Sequence, residues 1–400
     1  MTKIAFYTLG CRANQAQTFN LQCQMTNDKC QMVDFSEIAD VYVINTCAVT
    51  HDADRKSRQT IRKALRQNPK ARVIATGCFA KLEKNELKKD FPSIEIKDPA
   101  PLLRTPNLPA GRQGSKLRTP APRIRANLMI QDGCEHFCSY CIVPYARGKI
   151  TSKPLKQVVE EAKQLIQAGA REIVLTGINL GTYQFDLTDI LKHLSSIENL
   201  LRIRLSSIEP MYISKDLIGA AAALPKVCRH FHLPLQSGDD LILKKMNRDY
   251  SREDFKELVR YIRDKIPDCG VTTDIIVGFP GEGEKEFQNT LDLVNQIKFS
   301  RIHIFPYSKR TGTPAAALPD QVDEKTKKER RKTLNELRTK HMVEFANRYL
   351  NKEVEILVEQ KGEGLTSNFI RGFFNDPADS SGYLNNIFVG SVTDSGEIRG

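Results

Sequence analysis

Asp132-Gly133-Cys134-Glu135-His136-Phe137-Cys138-Ser139-Tyr140-Cys141 follows an apolar strand candidate, Leu128 to Gln131, and reads C-x3-C-x2-C. Thiols this close in sequence can hold one metal centre. A [4Fe-4S] cubane normally takes four thiolates, so a cubane held by Cys134, Cys138 and Cys141 leaves one iron open to a substrate or cofactor. A zinc site is an alternative, although structural zinc usually takes four ligands in paired units and only His136 could complete a local set. Incidental cysteines in a tight loop are another.

Working outward, strands and helices alternate from Asn127 to Tyr307. Strand candidates follow at Glu172 to Thr176, Ile203 to Ser206, Phe231 to Leu235, Thr272 to Val277 and Ile302 to Phe305. Helices such as Leu155 to Gln167 and Arg252 to Asp264 lie between them. Six βα units point to an incomplete (β/α)6 barrel, with chemistry in the loops at the carboxyl ends of its strands; a doubly wound open sheet is the rival arrangement.

Upstream, an apolar strand, a cysteine and an amphipathic helix recur three times. Ile4 to Leu9 runs into Gly10-Cys11, Val41 to Asn45 ends near Cys47, and Val73 to Thr76 runs into Gly77-Cys78. The three cysteines are separated by 36 and 31 residues, intervals that suit βα units. Loops after parallel strands share one sheet edge, so Cys11, Cys47 and Cys78 could meet in space. Buried thiols would be the ordinary reading of any one of them. From Lys97 to Arg125 the chain turns to Pro, Gly and Arg, a linker composition.

Beyond Pro319 a charged helix, Asp323 to Tyr349, carries Lys327, Lys328, Arg330, Arg331 and Lys332, a run that ordinarily forms a solvated face. Short strands at Val354 to Glu359, Phe369 to Phe374 and Ile387 to Thr393 then suggest a small β-barrel. The expected fold is α/β throughout residues 1–320: an open parallel N-terminal domain over 1–96, a linker over 97–125 and the partial barrel over 126–320. A charged helical connector over 321–350 and the β-barrel over 351–400 complete it.

The spacing of the triplet, with Tyr140 before its third cysteine, resembles the signature of the radical S-adenosylmethionine (SAM) superfamily. That resemblance implies that SAM occupies the open iron and is cleaved to a 5′-deoxyadenosyl radical, the protein supplying orientation and exclusion of water. Four stretches at strand ends are then candidate cofactor walls: Thr176-Gly177-Ile178-Asn179, Ser207-Ile208-Glu209-Pro210, Leu233 to Gly238, and Ile276-Val277-Gly278-Phe279-Pro280-Gly281. Gly177 and Gly278 would let backbone approach the ligand, while Asn179, Glu209 and Gln236 offer hydrogen bonds to its amino and ribose groups. Gly and Pro there also suit plain turns.

Thr8 to Gln15, Val43 to Thr50 and Thr76-Gly77-Cys78, followed by the triplet and the terminal strands, resemble the methylthiotransferase family over nearly the whole chain. The resemblance implies a second [4Fe-4S] cluster on Cys11, Cys47 and Cys78, whose open iron carries sulfide, and a terminal TRAM module that binds RNA. One SAM would methylate the sulfur and another would generate the radical. It also implies an electron donor such as flavodoxin or ferredoxin, a sulfur source and a cytoplasmic location. Ala53-Asp54-Arg55-Lys56-Ser57-Arg58-Gln59 resembles the subgroup acting on carbon 2 of N6-threonylcarbamoyladenosine, at position 37 of the tRNA anticodon stem-loop. The relatives acting on isopentenyladenosine in tRNA, or on an aspartate of a ribosomal protein, are alternatives. Gln17 and Gly283 depart from the family's usual acidic residue and threonine, which puts local hydrogen bonds in question. Arg147 after the triplet could face the cluster or the surface.

Composition narrows the rivals. Sixty Lys and Arg against 48 Asp and Glu give a net charge of +12, which suits either a polyanionic partner or a plain basic surface. No apolar run approaches the roughly 20 residues that span a bilayer, and the N-terminus enters a strand pattern at once, so neither membrane anchor nor signal peptide is expected. Ten cysteines then read as metal ligands and reduced thiols; Cys23, Cys30, Cys228 and Cys269 lack ligand spacing and read as structural. A non-catalytic, metal-stabilised RNA-binding protein and a radical enzyme without sulfur insertion are the functional alternatives.

Overall fold

The computed structural model describes residues 1–25, 30–98, 123–376 and 379–400; the stretch read as a linker lies largely outside them. The chain forms two compact units. The first comprises Met1–Phe137, Cys141–Ala170 and Leu175–Phe185, and the second Cys138–Tyr140, Arg171–Val174 and Asp186–Gly400.

In the first unit β1 (Thr2–Thr8), α1 (Arg12–Met25), β2 (Cys30–Val33), β3 (Val41–Thr46), α2 (His51–Gln67), β4 (Arg72–Gly77), α3 (Cys78–Leu82), α4 (Lys84–Asp90) and β5 (Glu95–Ile96) follow in order. The strands form a parallel sheet in the order β2-β1-β3-β4-β5. Alternation along each strand divides the apolar residues between two faces. Ala5, Tyr42, Ile44 and Ala75 pack with Ile61 and Ala64 of α2, whereas Ile4, Val43 and Ile74 pack with Leu21 and Met25 of α1. Each large apolar side chain buried this way contributes about 1.5–3 kcal/mol relative to exposure. Helix α2 starts at His51, where the Thr50 hydroxyl accepts from the Ala53 N–H at 3.2 Å and Asp52 and Asp54 occupy the first turn. Strands β2 and β5 are additional to the sequence reading; they are short sheet edges with weak apolar signals.

The unit continues through β6 (Arg125–Met129), β7 (Gln131–Asp132), α5 (Val143–Arg147), β8 (Thr151–Ser152) and α6 (Leu155–Gln167). Ile142 and Ala146 complete the α2-side core of the first sheet. Strand β9 (Glu172–Thr176) contributes its last two residues to this unit and its first three to the other.

The second unit carries α7 (Leu187–Ser195), β10 (Arg202–Leu205), α8 (Lys215–Ala223), β11 (His230–His232), α9 (Asp240–Lys245), α10 (Arg252–Lys265), β12 (Gly270–Val277), α11 (Glu284–Ile297), β13 (Arg301–Pro306), α12 (Pro314–Ala317) and α13 (Glu324–Asn347). Strands β11, β12 and β13 are parallel neighbours. Strand β11 stops at His232, three residues short of the expected Leu235: Pro234 lacks an N–H, and Gln236 then takes a left-handed φ of +65°.

Helix α13 is more than a solvated charge run. The Arg330 guanidinium is buried and donates to Glu282 Oε1 at 2.7 Å, and the Lys327 ammonium lies 5.5 Å from the Tyr307 ring centroid. The terminal region has six strands rather than the three expected: β14 (Glu353–Gln360), β15 (Glu363–Thr366), β16 (Arg371–Phe373), β17 (Leu384–Phe388), β18 (Ser391–Val392) and β19 (Ile398–Arg399). They form one curled sheet, ordered β17-β14-β15-β16-β19-β18, around Ile356, Ile370, Ile387, Val389 and Ile398. Phe369, expected in a strand, is a left-handed turn residue at φ +77°. Among the described residues no helix is long and apolar enough to cross a membrane.

Candidate functional site

The first unit brings Cys11, Cys47 and Cys78 to one sheet edge. Cys11 immediately precedes α1, Cys47 follows β3 and Cys78 opens α3, all at carboxyl ends of parallel strands. Burial pushes the Cys47 thiol up to about 11, and neighbouring Cys11 and Cys78 add to that rise. Burial raises Cys78 also, while Arg147 opposes the rise. The Arg147 Nε donates to Cys78 Sγ at 3.1 Å, and its terminal nitrogens reach Asn14 and, at 3.4 Å, Asp132. This guanidinium is 1% exposed. Burial opposes its charge, but Cys78, Asp132 and Cys11 more than offset that penalty and hold it firmly cationic.

Asparagines and threonines fasten the three strand ends together. Asn14 Nδ2 donates to the carbonyls of Leu9 at 2.8 Å and Thr46 at 3.1 Å, and Asn45 Nδ2 to the Asn14 carbonyl at 3.0 Å. The Thr46 hydroxyl bonds to the Thr76 carbonyl at 2.6 Å and accepts from the Ala80 N–H at 2.9 Å. Gly10 has φ +91°, and a Cβ there would lie 2.8 Å from Cys47 Sγ, so glycine is what lets Cys47 sit against the first loop. Three converging sulfurs beside a fixed cation suit a group that binds thiolates, as an iron-sulfur cluster does.

The triplet is divided between the units. In the first, the Cys134 N–H donates to the Gly148 carbonyl at 3.1 Å, and the Gln131 amide donates to the Gly133 carbonyl at 2.7 Å. In the second, Ser139 donates from its N–H to the Met246 carbonyl at 3.0 Å and from its hydroxyl to the Lys245 carbonyl at 2.7 Å. Tyr140 packs there against Ile242, Met246, Ile276, Phe279, Tyr307 and Ala315. Cys138 Sγ accepts from Arg248 Nη1 at 3.3 Å, and the same buried guanidinium pairs with Glu209 and donates through Nε to the Tyr250 hydroxyl at 3.2 Å. Burial works against this arginine, and Tyr140, Tyr250 and Cys138 keep it charged.

The radical SAM superfamily model matches residues 128–294, and the model described as uncharacterized protein family UPF0004 matches residues 3–97. A protein of Bacillus subtilis named threonylcarbamoyladenosine tRNA methylthiotransferase MtaB is 39% identical, with 96% of this chain and 93% of the relative covered. The MtaB of Aquifex aeolicus is 40% identical over 92% of this chain and 95% of its own. This chain belongs to the radical SAM methylthiotransferase family. A Pelotomaculum thermopropionicum protein named tRNA-2-methylthio-N(6)-dimethylallyladenosine synthase is similar too, 38% identical over 93% of this chain and 90% of its own. Among solved structures, the radical SAM methyltransferase TsrM of Kitasatospora setae shares the fold with a TM-score of 0.56 at 15% identity, covering 79% of this chain and 75% of that one.

The α/β class expected from sequence is borne out, with parallel sheets, a curled terminal sheet and the fold of a radical SAM protein. The family uses SAM and [4Fe-4S] clusters, and both cysteine sets have the donor chemistry for them. The five residues read as SAM contacts fall in two groups. In the first unit Gly177 packs on Gln131, whose Oε1 a Cβ would approach to 2.7 Å, and the Asn179 N–H donates to that same oxygen at 2.9 Å. Among the described residues the buried Asn179 Oδ1 has no protein partner, which makes it an acceptor suited to a ligand N–H or O–H.

In the second unit lie Glu209, Gln236 and Gly278. At Gly278 a Cβ would meet Lys327 Cγ at 2.4 Å, so the close approach this glycine permits is to α13. Sequence reasoning missed Arg248 and Gln131, which lie in unremarkable Asn-Arg-Asp and strand-end contexts. It left Arg147 undecided, and the structure turns it toward Cys78. At the two departures, Gln17 Nε2 reaches Asp132 Oδ2 at 3.5 Å, and the N–H of Gly283, just before α11, donates to Glu286 at 3.0 Å.

Proposed function

We propose that this methylthiotransferase modifies carbon 2 of N6-threonylcarbamoyladenosine at position 37 of tRNA, with Cys134, Cys138 and Cys141 holding the SAM-binding cluster and Cys11, Cys47 and Cys78 the second. Bound there, the clusters and SAM supply a reducing electron, a carbon radical and an iron-bound sulfur to be methylated. The observation that carries the two-cluster reading is the convergence of three sequence-distant cysteines at one sheet edge, with Arg147 beside two of them, Cys78 and Cys11. A radical generator alone needs no such second trio.

The chain's own residues hold charge and exclude water. Arg147 offsets negative charge building on the N-terminal thiolates, and Arg248 does so at Cys138. Gly177, Asn179, Glu209, Gln236 and Gly278 are the proposed SAM surroundings. Asn179 contributes an acceptor, and Glu209 is oriented by Arg248. We read residues 1–96, 126–320 and 351–400 as the sulfur-donor, radical and TRAM-like RNA-binding domains, acting in the cytoplasm with a flavodoxin- or ferredoxin-type reductant and a sulfur source.

The substrate rests on the MtaB names of the relatives in Bacillus and Aquifex and on the run Ala53 to Gln59 in α2. The anticodon loop is single-stranded, so its base can be splayed into a pocket while the basic surface follows phosphates. The dimethylallyladenosine synthases, at 36–38% identity, support a second reading. Mass spectrometry of tRNA nucleosides from cells with and without the gene decides between them. Loss of methylthiolated threonylcarbamoyladenosine is expected on deletion; an unchanged level of it, or loss of the dimethylallyl nucleoside instead, overturns the assignment.

A further inference from the structure

The sheet β11-β12-β13 has one polar face that no cysteine shares. In its register His232 lies beside Thr272 and Asp274 beside His303. Alternation therefore places His230, His232, Thr272, Asp274 and His303 on one face, while Phe231, Val271, Ile275 and Ile302 are buried on the other. Strands of parallel sheets are ordinarily apolar on both faces, so this polarity calls for a cause.

At the amino ends of these strands the terminal region supplies one. The His230 ring stacks on Phe369 at 4.5 Å between centroids, Arg204 donates to the Ser367 carbonyl at 3.0 Å, and Gly270 leaves room for the Asn368 carbonyl. That segment accounts for His230 and leaves the cluster nearer the carboxyl ends unexplained. There the polar atoms of His232, Asp274 and His303 lie within 4.8 Å of one another, and all three residues are half-buried. The side chains of His232 and Asp274 are 13% and 26% exposed, so solvent reaches them. His232 is held at both nitrogens, Nδ1 by the Thr272 hydroxyl at 2.9 Å and Nε2 by Asp274 at 3.2 Å.

We propose that His303 and Asp274, with His232 as the positioning residue between Thr272 and Asp274, form the subsite for the polar N6 substituent of the target nucleoside; this rests on the substrate reading above. A threonylcarbamoyl group carries a carboxylate, a hydroxyl and amide N–H groups. Its carboxylate matches an N–H of the His303 imidazole, and its hydroxyl or N–H groups match the Asp274 carboxylate. A dimethylallyl group is hydrocarbon only; seated here it would strip water from the His303 imidazole and the Asp274 carboxylate and return no hydrogen bond. Two histidines and a carboxylate can also bind a divalent cation. That is disfavoured because both ring nitrogens of His232 are already engaged, so a cation would have to displace its bond to Asp274.

The test uses the cluster-loaded enzyme with anticodon stem-loop RNAs carrying threonylcarbamoyladenosine or dimethylallyladenosine, comparing wild type with His303→Ala, His303→Gln and Asp274→Asn. In wild type the threonylcarbamoyl RNA is preferred. His303→Ala and Asp274→Asn each lower kcat/KM for it by about 10–100-fold, mainly through KM, without a matching loss on the other RNA, so the preference collapses. His303→Gln keeps an N–H donor and retains part of the preference. Iron content and melting temperature report on folding. A wild type that leaves the threonylcarbamoyl RNA untouched overturns the substrate reading, and this subsite with it. A wild type that modifies it, with a preference unmoved in every variant or with equal losses on both RNAs, overturns the subsite alone. So does one equivalent of a non-iron divalent metal that is lost in His303→Ala.

Discussion

Two sets of cysteines on this chain meet the same electrostatic demand by opposite routes. Cys134, Cys138 and Cys141 stand within eight residues of sequence, so chain connectivity alone keeps them close. Cys11, Cys47 and Cys78 belong to three successive strand ends, and only a parallel sheet with Asn14, Asn45 and Thr46 bonded across its edge assembles them. Yet each set has one buried arginine on a sulfur, Arg248 at Cys138 and Arg147 at Cys78. Thiolates in a dry site need a nearby cation, because burial by itself favours the protonated thiol. Spacing and charge of the thiols are thus separate problems, and the second is solved by residues outside any cysteine motif.

The largest effect is expected from Cys138→Ala. Reductive SAM cleavage and methylthiolation should both fall to background, as chromatography of 5′-deoxyadenosine and nucleoside analysis would report. Cys47→Ala should separate the sets. Iron after anaerobic reconstitution drops from about eight to about four per chain, SAM cleavage persists and methylthiolation is lost. Thiolation surviving in that variant would refute a sulfur-donor role for the N-terminal trio, and stoichiometric zinc in place of iron in the wild type would refute enzyme chemistry at both sets.

Arg147→Met tests charge apart from spacing, since every cysteine remains. Removing one partner from a buried charged network costs about 3–5 kcal/mol, so the melting temperature falls and the N-terminal set loads less iron; Arg147→Lys should recover part of the loading. Full loading in Arg147→Met would show that the sulfurs do not need it. A smaller effect is expected from Gly10→Ala, where the left-handed backbone and the contact with Cys47 together cost about 1–3 kcal/mol, readable by thermal unfolding of the apo-protein. Cys228→Ser provides the baseline: an iron content below wild type would mean that this thiol, buried in the second unit, had been wrongly set apart from the ligands.

Much of the molecule was legible from periodicity. Strand β9 and helix α6 have the limits read from sequence, and most other predicted elements differ by one or two residues, because apolar alternation and capping residues are local signals. The terminal region was read less well. Its six strands are two to eight residues long, several too brief to show alternation, and Phe369 leaves the ladder altogether. The charge run in α13 misled in another way: Lys327 and Arg330 are charged in sequence but buried against Tyr307 and Glu282, which no helical pattern discloses.

What the sequence determined by itself was the local chemistry: three thiols within one loop, three more at strand ends, and the strand–helix alternation that orients both. These are properties of neighbouring residues and of period, and they survive without a third dimension. The tertiary structure decided the rest. Arg147 lies 69 residues from the sulfur it contacts and Arg248 lies 110 from its own, while His232, Asp274 and His303 come from three separate strands. Contacts of that range follow from how sheets and loops close upon one another, a global balance of burial and charge that no window of sequence contains.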